Sequence, residues 1–271
     1  MSIPIITIGG RRRKLGLLEP DAGFVSSLPV FGDHVEPLDN ATLKRIAKSQ
    51  TSVGRTLFDS SFIRNQGQYG SCNGFAGAAA LTRARIRRGL KRVDLSGAYL
   101  YSLINGGHDN GSMLDDGMHA LQSRGCATEA TVRPHQIYPS KYDRTKANRE
   151  AAKYKAFECY QVTTEPELWT ALALGWDVVV AVHVGNNFDR FDRNGIAGVD
   201  NGNGNHAVMC DGLVYADGEI CGDGVNSWGT GWGSKGRMLL RWSHFKRTIG
   251  VHSFYAIRST TDGDDAPPAV R

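Results

Sequence analysis

Cys72, His206 and Asn226 are the residues whose types could do chemistry together. Cys72 lies in Asn65-Gln66-Gly67-Gln68-Tyr69-Gly70-Ser71-Cys72-Asn73-Gly74-Phe75, where a glycine-rich loop gives way to a helical run. His206 stands in Asn205-His206-Ala207-Val208, and Asn226 opens Asn226-Ser227-Trp228-Gly229-Thr230-Gly231-Trp232-Gly233. A thiol attacks as thiolate, and ionisation is helped by an imidazolium, a helix N-terminus and partial exposure. Cys72 at a helix start has the second of these, and His206 would supply the first. Asn226 is placed to hold the imidazole in one tautomer, and Trp228 to shield that bond from water. The Gln66 amide and the Cys72 backbone N–H would form an oxyanion hole.

The elements that must hold these groups are legible in outline. Residues 72–88 read as a strong helix with Phe75, Ala78, Ala79, Leu81 and Ile86 inward, closed by Gly89. Arg83, Arg85, Arg87 and Arg88 mark its expected emergence into solvent. Further helices are predicted after Ser96, over about 113–124 ending at Gly125, and over about 165–174. Asp115-Asp116 at a helix start reads as dipole complementation. Beyond 177 the pattern turns to β-branched strands: 177–184, 206–214, 219–225 and 236–242. A helical half followed by a β-rich half predicts an α+β fold with an interface between the halves. Residues 1–57 read as an extension, with a short strand at Ile3–Ile8 and a short helix capped by Asn40. The polar tail from about 259 to 271 is expected to be disordered.

Composition bounds the rest. The 271 residues are 41% apolar, enough for one large domain or two packed subdomains. Net charge is 32 − 27 = +5 and mostly dispersed; the one dense cluster, Arg11-Arg12-Arg13-Lys14, reads as a solvated basic arm. No nucleic-acid or membrane partner is expected, and a monomer is favoured. Five scattered cysteines argue against a disulfide framework, and the other four are read as packing residues. With no signal-peptide pattern, the expected location is a reducing compartment, cytoplasmic or virion-associated. No His, Cys or carboxylate spacing suggests a metal, and no cofactor is expected.

Taken together, the three motifs resemble those of the papain-like cysteine peptidases. Cys72 and His206 are 206 − 72 = 134 apart, within the about 130–150 residues of that family. Asn226-Ser227-Trp228-Gly229 and the glycines that follow match its asparagine motif almost residue for residue. The resemblance covers about 58–258, with a helical part to about 164 and a β-rich part, an antiparallel sheet or barrel, from about 165. It implies a two-subdomain fold with the cleft between. It makes Cys72 the nucleophile, His206 the general base and acid, Asn226 the orienter and Gln66 the oxyanion donor. Gly70 and Ser71 shape the nucleophile loop. The backbone of Gly111 and Ser112, with Asn205, would bind extended substrate.

Departures from the family pattern fall at Tyr69, where a disulfide cysteine is usual, at Asn73, usually Trp, and at Ser112, usually Gly. They resemble bacterial and viral branches more than lysosomal or plant ones. Residues 1–57 are short for a long inhibitory propeptide and are expected to form a short pro-segment or arm over the cleft. The same machinery could instead cut cell-wall or isopeptide bonds, or the scaffold could be a non-catalytic structural, virion or effector module. The intact set of Gln66, Cys72, His206 and Asn226 argues against the last.

Overall fold

The computed structural model describes residues 3–53 and 63–262. A two-stranded hairpin, β1 (Ile5–Ile8) and β2 (Arg11–Lys14), leads into α1 (Asn40–Val53). The helical half follows: α2 (Cys72–Arg87), α3 (Gly97–Ile104), α4 (Leu114–Ser123) and α5 (Arg144–Ala151). Then come β3 (Tyr154–Val162), α6 (Glu165–Ala173), β4 (Asp177–Val182), β5 (His206–Ala216), β6 (Glu219–Val225), β7 (Arg237–Arg241) and β8 (Phe254–Asp262). The last six strands make one open antiparallel sheet in the order β3-β8-β4-β5-β6-β7. The α+β architecture expected from the sequence is present as a sheet rather than a closed barrel.

The sheet begins before the expected boundary, because β3 precedes α6, and it ends later. Thr260 is fully buried and its hydroxyl donates to the Lys155 carbonyl at 2.7 Å, so the chain expected to be disordered from 259 is strand through Asp262. Residues 263–271 lie outside the described residues. Residues 29–30 run beside the edge strand β3, with the Gln161 N–H donating to the Pro29 carbonyl at 2.8 Å. This covers an edge that would otherwise be open to pairing. Helix α1 starts at Asn40, but its cap is Asp39, whose carboxylate accepts from the N–H groups of Ala41 and Thr42. Gln50 on α1 then accepts from the Leu213 N–H where β5 is bulged.

Helix α2 is the central element. It packs against α3 on one side and β4, β5 and β8 on the other. Its small residues permit this: a Cβ at Gly74 would stand 2.4 Å from the Gly97 carbonyl of α3. The expectation that Arg83 and Arg85 reach solvent is overturned. They are 4% and 1% exposed, because the helix stays inside the interface through its fourth turn. Arg85 lies over the Tyr154 ring at 4.7 Å. Arg83 faces Asp177 of β4 and Asp211 of β5 at 3.7 and 3.8 Å. Arg237 of β7 completes the network, reaching Asp211 at 2.6 Å and Asp223 at 3.1 Å.

Breaking a buried network from one side leaves unbalanced charge in a poorly solvated place. Arg83→Met is therefore expected to lower unfolding stability by about 3–5 kcal/mol, measured by urea denaturation.

Candidate active site

The cleft forms where the N-terminus of α2 meets the start of β5. Cys72 is the first residue of α2, and Ser71 caps it without a side-chain hydrogen bond. His206 is the first residue of β5, and Asn226 follows β6 on the neighbouring strand. His206 Nε2 and Asn226 Oδ1 are 2.9 Å apart. The Ser227 N–H also donates to that oxygen at 2.8 Å, which marks it as the acceptor. Nε2 therefore carries the proton, and Nδ1 of the neutral ring keeps its lone pair. Trp228 stacks on the imidazole at 4.7 Å and is 1% exposed.

Cys72 and His206 differ from the expected partly exposed ion pair. Both are fully buried. Burial pushes the Cys72 thiol above its ordinary pKa, against opposing N–H groups of Ala207, Gly16, Asn73 and Cys72 itself. The Ala207 contact brings the residue after His206 against the sulfur. Burial also lowers His206 to about 4; the Asn226 bond opposes this and the Arg13 charge adds to it. Nδ1 makes no hydrogen bond. The pair is held as neutral thiol and neutral imidazole.

What buries it is the segment after the hairpin. Gly16 crosses Gly70 so closely that a Cβ on Gly16 would lie 1.9 Å from the Gly70 carbonyl oxygen. The Ser112 N–H donates to the Gly16 carbonyl at 2.9 Å, and the Leu18 N–H to the Ser112 carbonyl at 3.1 Å. From the opposite wall the Asn205 carbonyl accepts the Leu17 N–H at 3.2 Å. The main-chain groups of Ser112 and Asn205, assigned by resemblance to substrate, thus hold an extended peptide belonging to this chain. Gly111 keeps φ +88 and donates to the Tyr101 hydroxyl.

The basic cluster read as a solvated arm is the anchor of this segment. Arg13 is 5% exposed. Lys14 pairs with Asp109 at 2.6 Å, and Asp109 also accepts from the Gly70 N–H and the Tyr101 hydroxyl. Sequence reasoning missed Arg13, Gly16 and Asp109. The available signal was a glycine inside the apolar run Leu15-Gly16-Leu17-Leu18 beside a charge cluster.

Gln66 is close by but engaged. It donates to the Tyr69 carbonyl at 2.7 Å and accepts from the Ser227 hydroxyl, leaving one amide N–H. Gly70 lies in the bend before Cys72, and Ser71 is the N-cap of α2. Two departures from the motif prove coupled: Asn73 Nδ2 donates to the Met113 carbonyl at 2.5 Å and the Ser112 hydroxyl at 3.1 Å, tying α2 to the peptide-binding segment. Asp115 and Asp116 divide their work. Asp116 accepts from the Met113 N–H at the start of α4, while Asp115 accepts from the Tyr255 and Ser26 hydroxyls. The other four cysteines are buried and free, and no described group of His, Cys, Asp and Glu is arranged to hold a metal ion.

A thiol at the start of α2 and an amide-held imidazole at the start of β5 thus lie at the joint between a helical half and an antiparallel sheet. Residues 55–256 match the papain family cysteine protease model, and the chain belongs to that family. Among curated relatives, cathepsin K of Gallus gallus is 30% identical over 196 residues, covering 70% of this chain and 57% of its own. Vignain of Vigna mungo is 26% identical over 74% of this chain and 57% of its own. The chain thus spans little more than half the length of these relatives. Among solved structures, xylellain, a cysteine protease from Xylella fastidiosa, superposes with TM-score 0.71 at 22% identity, over 90% of this chain and 95% of that one. The ragweed allergen Amb a 11 cysteine protease in its proform gives TM-score 0.60 at 22% identity over 84% and 68%.

Acid should act on the covered site in one direction. A histidine held at about 4 instead of the ordinary 6.5 binds fewer protons than one in an opened cleft. The covered form is therefore fully stabilised above about pH 6.5 and loses that contribution as pH falls toward 4. ¹⁵N NMR of the His206 ring should show a protonated Nε2 and bare Nδ1 at pH 6, with a titration midpoint near 4.

Proposed function

We propose that this chain is a cysteine peptidase that cuts peptide bonds through Cys72, His206 and Asn226, and that residues 13–18 hold it latent. The observation that carries both readings is the extended segment Gly16–Leu18, bound through its main chain to Ser112 and Asn205 directly over the thiol. A cleft that grips a polypeptide by its backbone suits a polypeptide substrate.

With the segment displaced, water reaches the cleft and the penalty on the charged pair falls. His206 Nδ1 takes the Cys72 proton, and the sulfur attacks the scissile carbonyl. The remaining Gln66 N–H and the Cys72 backbone N–H stabilise the oxyanion. The C–N bond breaks as His206 gives its proton to the leaving amine, leaving a thioester. Water, deprotonated by His206, then releases the acid and restores the thiol. Asn226 keeps the ring oriented throughout. Latency is supported by the two neutral buried partners and by the absence of room over Gly70 for anything but a glycine. The likeness to a protease solved in its proform agrees with it.

Cys72→Ala should retain the fold by circular dichroism and, in protein whose arm has been displaced, lower casein or peptide turnover on the order of 10⁶-fold. Once the arm is displaced, a thiol-directed epoxide should label Cys72 alone, since the arm covers only that thiol and Cys126, Cys159, Cys210 and Cys221 stay buried. An active Cys72→Ala protein would sink the mechanism. Gly16→Val cannot cross Gly70 and should speed labelling of Cys72 by about tenfold, the effect of an overpacked contact. Unchanged labelling would mean that the arm does not limit access.

A further inference from the structure

The contacts of Arg13 describe a second recognition element in the cleft. Its guanidinium Nη1 donates to the Gly67 carbonyl at 3.1 Å and to Asn65 Oδ1 at 3.3 Å, and Nη2 donates to the Trp228 carbonyl at 3.2 Å. The guanidinium carbon lies 5.5 Å from the centre of the Trp228 ring. Three oxygens and an aromatic face thus converge on one planar cation, the arrangement that suits arginine better than lysine. Two of the oxygens are main-chain carbonyls, and the walls that carry them are tied together. Asn65 and Trp228 form an antiparallel bridge, with the Gln66 N–H on the Ser227 carbonyl at 2.8 Å and the Gly229 N–H on the Arg64 carbonyl at 2.9 Å. The bonds that fix Asn65 and Trp228 relative to each other involve no residue of the arm.

Its position gives it a role. Leu17 and Leu18 lie on the Ser112 side of the nucleophile, and Arg13 lies on the other, against the tryptophan that covers His206. His206 delivers its proton to the departing amine, so the leaving half of a substrate passes on this side.

We propose that Asn65, Gly67 and Trp228 form a guanidinium subsite that selects substrates with arginine on the leaving-group side of the scissile bond, and that Arg13 occupies it as a stand-in. This deepens the peptidase reading and rests on it for the substrate half of the claim. The binding half stands separately, because a guanidinium-shaped site can be occupied without turnover.

Full-length protein carrying Arg13→Ala leaves the subsite vacant while keeping the rest of the arm. Ethylguanidinium should bind this variant, followed by indole chemical-shift changes at Trp228, about tenfold more tightly than ethylammonium, the margin of a charge-assisted hydrogen bond. The unaltered chain should bind neither there, and Asn65→Leu added to Arg13→Ala should reduce the preference. Equal affinity for the two cations would overturn the subsite. In a peptide library treated with the Arg13→Ala, Gly16→Val double variant, in which the arm is also lifted from the thiol, arginine should be enriched over lysine and glutamine in the first two residues after the cut. Cleavage without that enrichment would overturn the selectivity claim. If no peptide is cut while Cys72 still labels, the peptidase reading fails and the ethylguanidinium result alone decides the subsite.

Discussion

Helix α2 cannot be moved without losing everything else. It begins at Cys72 and ends in a buried charge network, so one rigid rod connects that thiol to the joint between the halves. Arg83 reaches two strands at once, Asp177 on β4 and Asp211 on β5. The strand that carries Asp211 also starts at His206. The ion pairs and the cleft are therefore opposite ends of the same α2–β5 contact. A network of this kind contributes little net stability compared with an apolar substitute, but it penalises any slip in register. Register is what a site assembled from two halves requires, because a one-residue slip of β5 would turn His206 to the other face of the sheet.

The site is held in its less reactive ionic form by solvent exclusion. Desolvation raises the thiol and lowers the imidazole, so it opposes both members of a thiolate–imidazolium pair. The arm also places the positive charge of Arg13 near His206, which disfavours a second cation there. Under the proposed latency, displacing the arm would relieve both effects at once. No rearrangement of the His206–Asn226 bond is needed, since the neutral tautomer already leaves Nδ1 free to accept a proton.

The catalytic motifs were legible because each needs fixed residue types in a short local window. Asn226-Ser227-Trp228-Gly229 encodes the amide that holds the imidazole, a ring shield and a bend within four residues. The helix at 72–87 was legible from its apolar spacing, but the fate of its arginines was not. Arg83 is buried by partners more than ninety residues away, and an arginine in a helical pattern gives no local sign of such a partner. Strand β3 escaped for a similar reason: Phe157 and Glu158 interrupt its alternation, and the pairing that makes it a strand comes from β8 about a hundred residues later. Arg11-Arg12-Arg13-Lys14 looked like a solvated run because charge density usually means exposure. Its alternation as a strand turns Arg13 inward and leaves Arg12 outside, a distinction that appears only once the hairpin with Ile5–Ile8 is formed.

The arm and the cleft constrain each other's sequences. Where two backbones cross at Gly16 and Gly70, a side chain on either would separate them: a Cβ on Gly70 would lie 2.3 Å from Ile3 and one on Gly16 inside the Gly70 carbonyl. Such a crossing is specific for one residue type at one position, so it fixes the register of the arm. The leucines then fall beside Ser112 and Asn205, and Arg13, three residues before Gly16, falls at Trp228. A peptide lacking glycine at that point could satisfy the main-chain hydrogen bonds only by riding higher over the thiol. The arm therefore fits more closely than an arbitrary substrate can. Tight coverage follows from the one residue that brings least of its own surface to the contact.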